Sequence, residues 1–126
     1  MSKKIVYSAS APEPIGPYSQ AVQFGNMLFI SGQIAIHKPS GNLITENIEE
    51  ETQQVMLNIA AVLKAADMDF SNVVKSTIFL QDFNNFAKVN EVYGKCFPQN
   101  PPARETVEVS RLPKDVNVEI SCIAIK

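Results

Sequence analysis

The chain has 126 residues, 11 Lys and Arg against 13 Asp and Glu, a formal net charge of -2, and 45% hydrophobic against 19% charged residues. One domain spanning 1–126 is expected, because a chain this long buries roughly two-thirds of its unfolded surface and this composition is globular rather than disordered. The acidic balance argues against a generic nucleic-acid surface, which carries a basic excess, and no apolar run approaches the roughly 20 residues that span a bilayer.

Met1 to Tyr7 carries Lys3 and Lys4 with no long apolar region behind them, so it is not read as a signal peptide. Pro12 to Pro17 is punctuated by prolines and should be irregular. Ala21 to Phe24, then Gly25-Asn26, then Met27 to Ser31 reads as strand, turn, strand. His37 to Asn42 holds Pro39, Ser40 and Gly41 and is a loop. Asn47 is an N-cap, Glu50 stands three residues on, and Glu49 to Glu51 suit the positive end of a helix and should be solvated. Ile48, Thr52, Val55, Met56, Ile59, Val62, Leu63 and Ala66 form its apolar stripe, which ends near Asp67.

Val73 to Leu80 is β-branched and apolar enough for a strand. Asn84 is placed to cap a second helix with Phe86, Val89, Tyr93 and Phe97 on one face, closed by Pro98. Glu105 to Val109 and Val116 to Ile125 are two further strand-like runs. The order ββ, α, β, α, ββ predicts an α+β fold with the helices on one sheet face. Cys96 and Cys122 lack CxxC spacing and fall on apolar faces, so packing thiols in a reducing cytoplasm are expected. His37 is the chain's one histidine, with no ligand cluster around it.

The last two runs are read as a hairpin. Setting Val109 opposite Val116 places Val107 against Val118, Thr106 against Glu119 and Arg104 against Ser121. Arg104 and Glu119 then become diagonal neighbours about 7–8 Å apart on one face. That face also carries Ile123 and Ile125, so part of it should be covered by another subunit. An ordinary charged outer face is the simpler reading of Arg104, Glu108 and Glu119. Simpler readings also exist for a core-edge plug at Tyr18, a strand-end polar group at Ser31, a bend at Gly32 and a capping bond at Asn90.

Five separated segments occur in an order that resembles the Rid (reactive intermediate deaminase) family, also called YjgF-like. They are Ile15 to Gln20, Ser31-Gly32-Gln33, Phe86 to Asn90, Pro102-Ala103-Arg104 and Val107 to Pro113. The resemblance extends over essentially the whole chain. It implies a chorismate-mutase-like domain, a mixed β-sheet with two helices on one face, assembled as a homotrimer with clefts between subunits. It further implies hydrolysis of short 2-imino acids, such as 2-iminopropanoate and 2-iminobutanoate formed from 2-aminoacrylate-type enamines, to 2-keto acids and ammonia.

By the same resemblance Arg104 grips the substrate carboxylate, which its planar fork suits, and Glu119 positions the attacking water. Tyr18, Ser31, Gly32 and Asn90 line the cleft, and the backbone near Thr106 supplies a further acceptor. No metal or organic cofactor is implied. The family often has Ser or Thr directly after the arginine and Cys one place later; here stand Glu105 and Thr106. Glu105 adds negative charge beside a site for an anion. That feature supports an alternative, a non-catalytic small-carboxylate-binding protein on the same scaffold. A role on RNA, described for some relatives, fits poorly with the acidic balance.

Overall fold

The computed structural model describes residues 2–126. Its strands are β1 (Lys4–Val6), β2 (Ala21–Phe24), β3 (Met27–Gln33), β4 (Val73–Leu80), β5 (Ala103–Glu108) and β6 (Val118–Ile125), and its helices are α1 (Ile48–Ala65) and α2 (Phe86–Gly94). They build one mixed sheet in the order β1-β2-β3-β6-β4-β5, with both helices on one face. The expected α+β architecture is therefore present, with β1 added at one edge.

α1 begins where Asn47 Oδ1 accepts the Glu50 backbone N–H at 2.8 Å, satisfying one of the donors that every helix start leaves free. It ends at a left-handed Asp67, with φ 56°. Its stripe of Val55, Met56, Ile59, Val62 and Leu63 packs against the alternate residues Val118, Ile120, Cys122 and Ala124 of β6 and Ile78 and Leu80 of β4. Glu51 departs from expectation: it is 0% exposed, not solvated. α2 starts later than expected, after a short 3-10 turn that Asp82 caps by accepting the Asn84 N–H at 2.9 Å. Val89, Tyr93 and Phe97 still form its buried face, and Cys122 is buried while Cys96 is partly so.

The C-terminal hairpin does not exist. β5 pairs with β4, in parallel, at the sheet edge, and β6 lies between β3 and β4. Alternation tells which residues of a strand share a face but not which strand lies beside it. Here α2 carries the chain back across the sheet, so β5 runs the same way as β4. The registers Ser76↔Arg104, Ile78↔Thr106 and Ser76↔Cys122 put Arg104 and Thr106 on the helix-covered face. The registers Phe79↔Val107 and Phe79↔Glu119 put Glu119 on the open face. Val107, set opposite the buried Val118 in the expected hairpin, is 43% exposed. Within one chain, Arg104 and Glu119 are thus on opposite faces rather than diagonal neighbours.

Candidate active site

The predicted residues fall into two groups, one on each side of the sheet. The first surrounds Arg104 at the β5 edge. Its Nη1 donates to Asn90 Oδ1 at 2.7 Å, and its Cζ stands 5.2 Å from the Tyr93 ring centroid and 5.6 Å from that of Phe86. Residues 86, 90 and 93 recur at helical spacing, so α2 presents all three to the same cation. Rings and an amide orient a guanidinium without neutralising it. Among the described residues no carboxylate pairs with Arg104. Two buried hydroxyls in this region, Thr106 Oγ1 and Tyr93 OH, have no hydrogen-bond partner. Burial pushes the Tyr93 hydroxyl up, opposed by the nearby Ser76, although no hydrogen bond of good geometry joins them.

The second group surrounds Glu119. Tyr18, Gly32 and Glu119 line one small cavity of about 40 Å³ together with Pro12, Ile34 and Pro113. The β3–β6 ladder slips between Ile30 and Gln33, so Ser31 and Gly32 bulge out of register. Glu119 lies directly over that bulge. A Cβ on Gly32 would come within 2.8 Å of Glu119 Cδ and Oε2, a closeness that only glycine permits. Ser31 is tied back: its Oγ donates to the Ser19 carbonyl at 2.6 Å and its N–H to that of Gln20 at 2.9 Å. Tyr18 is 49% exposed, and its hydroxyl accepts the Ile15 N–H at 3.1 Å. Burial pushes the Glu119 carboxyl above the ordinary carboxylate range.

Glu105 belongs to neither group. It accepts from Thr77 Oγ1 at 2.7 Å and lies 3.3 Å from Lys75 Nζ, on the opposite face from Arg104. Those partners, the Thr77 hydrogen bond first, hold its carboxyl below the ordinary range. His37 binds Ser40 Oγ at 2.8 Å, and no cluster of metal-ligating side chains exists among the described residues.

Sequence reading missed Gln20. It is 2% exposed, accepts the Ser8 N–H at 2.6 Å and donates to the carbonyls of Ser8 and Pro12 at 3.1 and 2.9 Å, fixing the irregular segment that walls the Glu119 cavity. Its place at the end of the Ile15 to Gln20 segment is its one signal, since a polar residue before a strand is otherwise ordinary. Phe86 and Tyr93 were legible as one helix face, but not as the bed of a cation.

A mixed sheet covered by two helices thus carries an arginine without an ion-pair partner at the edge of one face and a partly buried carboxylate on the other. The family model described as Endoribonuclease L-PSP matches residues 8–126, and the chain belongs to that family, also known as YjgF or Rid. It is 51% identical over 124 residues to a RutC family protein of Pyrococcus horikoshii, covering 98% of each chain. It is 46% identical over 124 residues to the 2-iminobutanoate/2-iminopropanoate deaminase of Bos taurus, covering 98% of this chain and 90% of that one. The crystal structure of the YjgF gene product from E. coli superposes with a TM-score of 0.93 at 40% identity, covering 98% of both chains. No helix among the described residues is long and apolar enough to cross a membrane.

Proposed function

We propose that the protein hydrolyses short 2-imino acids, 2-iminopropanoate and 2-iminobutanoate among them, to 2-keto acids and ammonia. The site is completed between subunits of a homotrimer, where the Arg104 edge of one subunit meets the Glu119 face of the next. The observation that carries this reading is the separation itself. Each half has the chemistry for one part of the reaction, and the open face bearing Glu119 also exposes Ile5, Phe24, Phe29 and Val107, each between 41% and 54%. An apolar face of that kind marks an interaction surface. The deaminase names of the bovine relative and of a chloroplastic relative from Arabidopsis thaliana, 43% identical, agree with it.

The chemistry follows from the two groups. Arg104, aimed by Asn90 and two rings, binds the substrate carboxylate through its free fork. The protonated imine carbon is already electrophilic, so water needs placement more than a strong base. Glu119 holds that water and takes a proton as oxygen bonds to C2. A carboxyl raised by burial is the better base for this. The proton passes to the nitrogen, and as the C–N bond breaks and ammonia leaves, the carbinolamine hydroxyl gives its proton to the freed Glu119 carboxylate and becomes the keto group. Thr106, two residues along β5 from Arg104 and on the same face, would supply a further polar contact through its backbone and its unpartnered hydroxyl. No step calls for a metal or organic cofactor.

The test uses a dehydratase that releases 2-aminoacrylate from serine, with keto-acid and ammonia release followed against buffer. Acceleration by the wild-type protein, lost in Arg104→Ala, is expected. Equal rates with and without protein, while a known deaminase accelerates the reaction, would overturn the proposal. If the protein then binds a keto acid such as 2-ketobutyrate through Arg104 without turnover, the carboxylate-binding alternative takes its place.

A further inference from the structure

Burying a carboxylate without a cation is costly unless its oxygens are hydrogen-bonded, and α1 holds such a group. Glu51 is 0% exposed, and no lysine or arginine pairs with it among the described residues. Both its oxygens accept from one residue: Oε2 from the Asn117 backbone N–H at 2.8 Å and Oε1 from Asn117 Nδ2 at 2.7 Å. The Asn117 carbonyl in turn accepts the Gln81 N–H at 3.0 Å. Asn117 is therefore held by backbone and side chain at once, two residues before Glu119.

The same helix makes a second grip of this kind. Asn58, seven residues or about two turns further on, is 2% exposed and donates to the carbonyls of Ile34 and Ile36, both at 3.0 Å. Ile34 and Ile36 line the Glu119 cavity. Val116, beside Asn117, is 0% exposed and packs with Ile34 and Leu112 in a small core of its own. Two of the three polar side chains that α1 buries, Glu51 and Asn58, thus fasten the two backbone segments that meet at that cavity, one leading away from Gly32 and one leading into Glu119.

We infer that Glu51 is a positioning residue for the reaction: by clamping Asn117 it fixes the entry of β6 and hence the place of the Glu119 carboxyl over Gly32. Its kinetic consequence rests on the imine-hydrolysis reading above. A carboxylate is the fitting group, because Asn117 offers two donors and a carboxylate offers two acceptors. A glutamine would offer one acceptor and set an NH2 against the remaining donor. The conservative substitution therefore breaks half of the clamp without changing its volume.

The test compares the full chain with Glu51→Met, Glu51→Gln and, as control, Glu50→Gln, whose side chain is exposed on the same helix turn. Two readouts are taken on folded protein: kcat and KM for imine hydrolysis, and the titration of the Glu119 carboxyl followed by its 13C shift. Glu13 is the other carboxylate lining the cavity, tied to Tyr7 and Lys38, and Tyr18 the other titratable group there. The inference expects kcat to fall about 10- to 100-fold in Glu51→Met, and less in Glu51→Gln, as small misplacements at a reacting centre do. KM, set by the Arg104 grip on the other face, stays within about threefold. The Glu119 titration moves down toward the ordinary carboxylate value as water reaches it.

A purely structural Glu51 lowers the melting temperature but leaves both readouts of the folded variant unmoved, and that result overturns the inference. Should Glu51→Met not fold, Glu51→Gln supplies both measurements. Should the wild type show no turnover, the proposed reaction falls, and the Glu119 titration alone still decides whether Glu51 positions that carboxyl.

Discussion

Along β6, Val118, Ile120, Cys122 and Ala124 are at most 3% exposed beneath the helices, while the intervening Glu119, Ser121, Ile123 and Ile125 are only partly buried on the other side. One strand thus serves two surfaces of different character. The helix-covered face is closed by packing within the chain, and Arg104 enters it at the edge between α2 and β5. The open face mixes carboxylates and hydroxyls with exposed Phe29 and Val107, and among the described residues no helix covers it. The first face is a finished core that lends its rim to chemistry, and the second is an unfinished one.

Substitutions on the two faces should therefore fail in different ways. Arg104→Ala is expected to lower kcat/KM for imine hydrolysis by about 100- to 1,000-fold, the loss that follows from deleting one partner of a charge pair worth about 3–4 kcal/mol. The fold should survive, which circular dichroism checks. Ile120→Ala, one position from Glu119 but on the covered face and 0% exposed, should cost about 2–5 kcal/mol of stability in chemical denaturation at fixed protein concentration. Phe29→Ser, on the open face, should instead shift sedimentation toward the monomer. If the two exchange phenotypes, the contrast between the faces is wrong.

Gly32→Ala sharpens the contrast within the open face. Its Cβ would displace the Glu119 carboxyl, so kcat should fall about 10- to 100-fold while keto-acid binding through Arg104, measured calorimetrically, is kept. Glu119 itself makes a pH prediction. Its carboxyl is raised by burial, so the native state holds that proton more tightly than the unfolded chain does. The associated stability is fully present below the ordinary carboxylate value of about 4.3 and is lost as pH rises through the raised folded value. Glu119→Gln should thus melt at or above the wild-type temperature at neutral pH, an advantage that disappears in acid, while activity is lost throughout. The smallest effect belongs to Lys75→Ala, which removes an exposed pair with Glu105 and should leave the melting temperature essentially unchanged.

Much of this arrangement was legible in the amino-acid sequence. The stripe from Ile48 to Ala66, the Asn47 cap, the strand Val73 to Leu80 and the alternation of β6 are local patterns, and local patterns survive folding. Strand neighbours are not local. Arg104 and Glu119 were read onto one face because two consecutive runs suggested a hairpin, whereas the crossover through α2 made β5 a parallel edge strand. Glu51 was misread for a related reason: its place in an acidic first turn speaks of solvent, and only the return of Asn117 to that spot shows a buried acceptor. The family resemblance names Arg104 and Glu119 without needing their pairing, so it does not depend on that register.

The strand order has a consequence for how the molecule is made. β6 comes after every other strand in the chain yet lies between β3 and β4, so the sheet stays in two unconnected parts, β1-β2-β3 and β4-β5, until residues 118–125 are available. Helix α1 and the β4–α2–β5 unit can form while the chain is still on the ribosome, but the central ladders and the Glu119 cavity cannot. A prematurely terminated product would retain Arg104 and yet have two raw sheet edges where β6 belongs, which makes it a substrate for quality control rather than a weaker version of the whole protein.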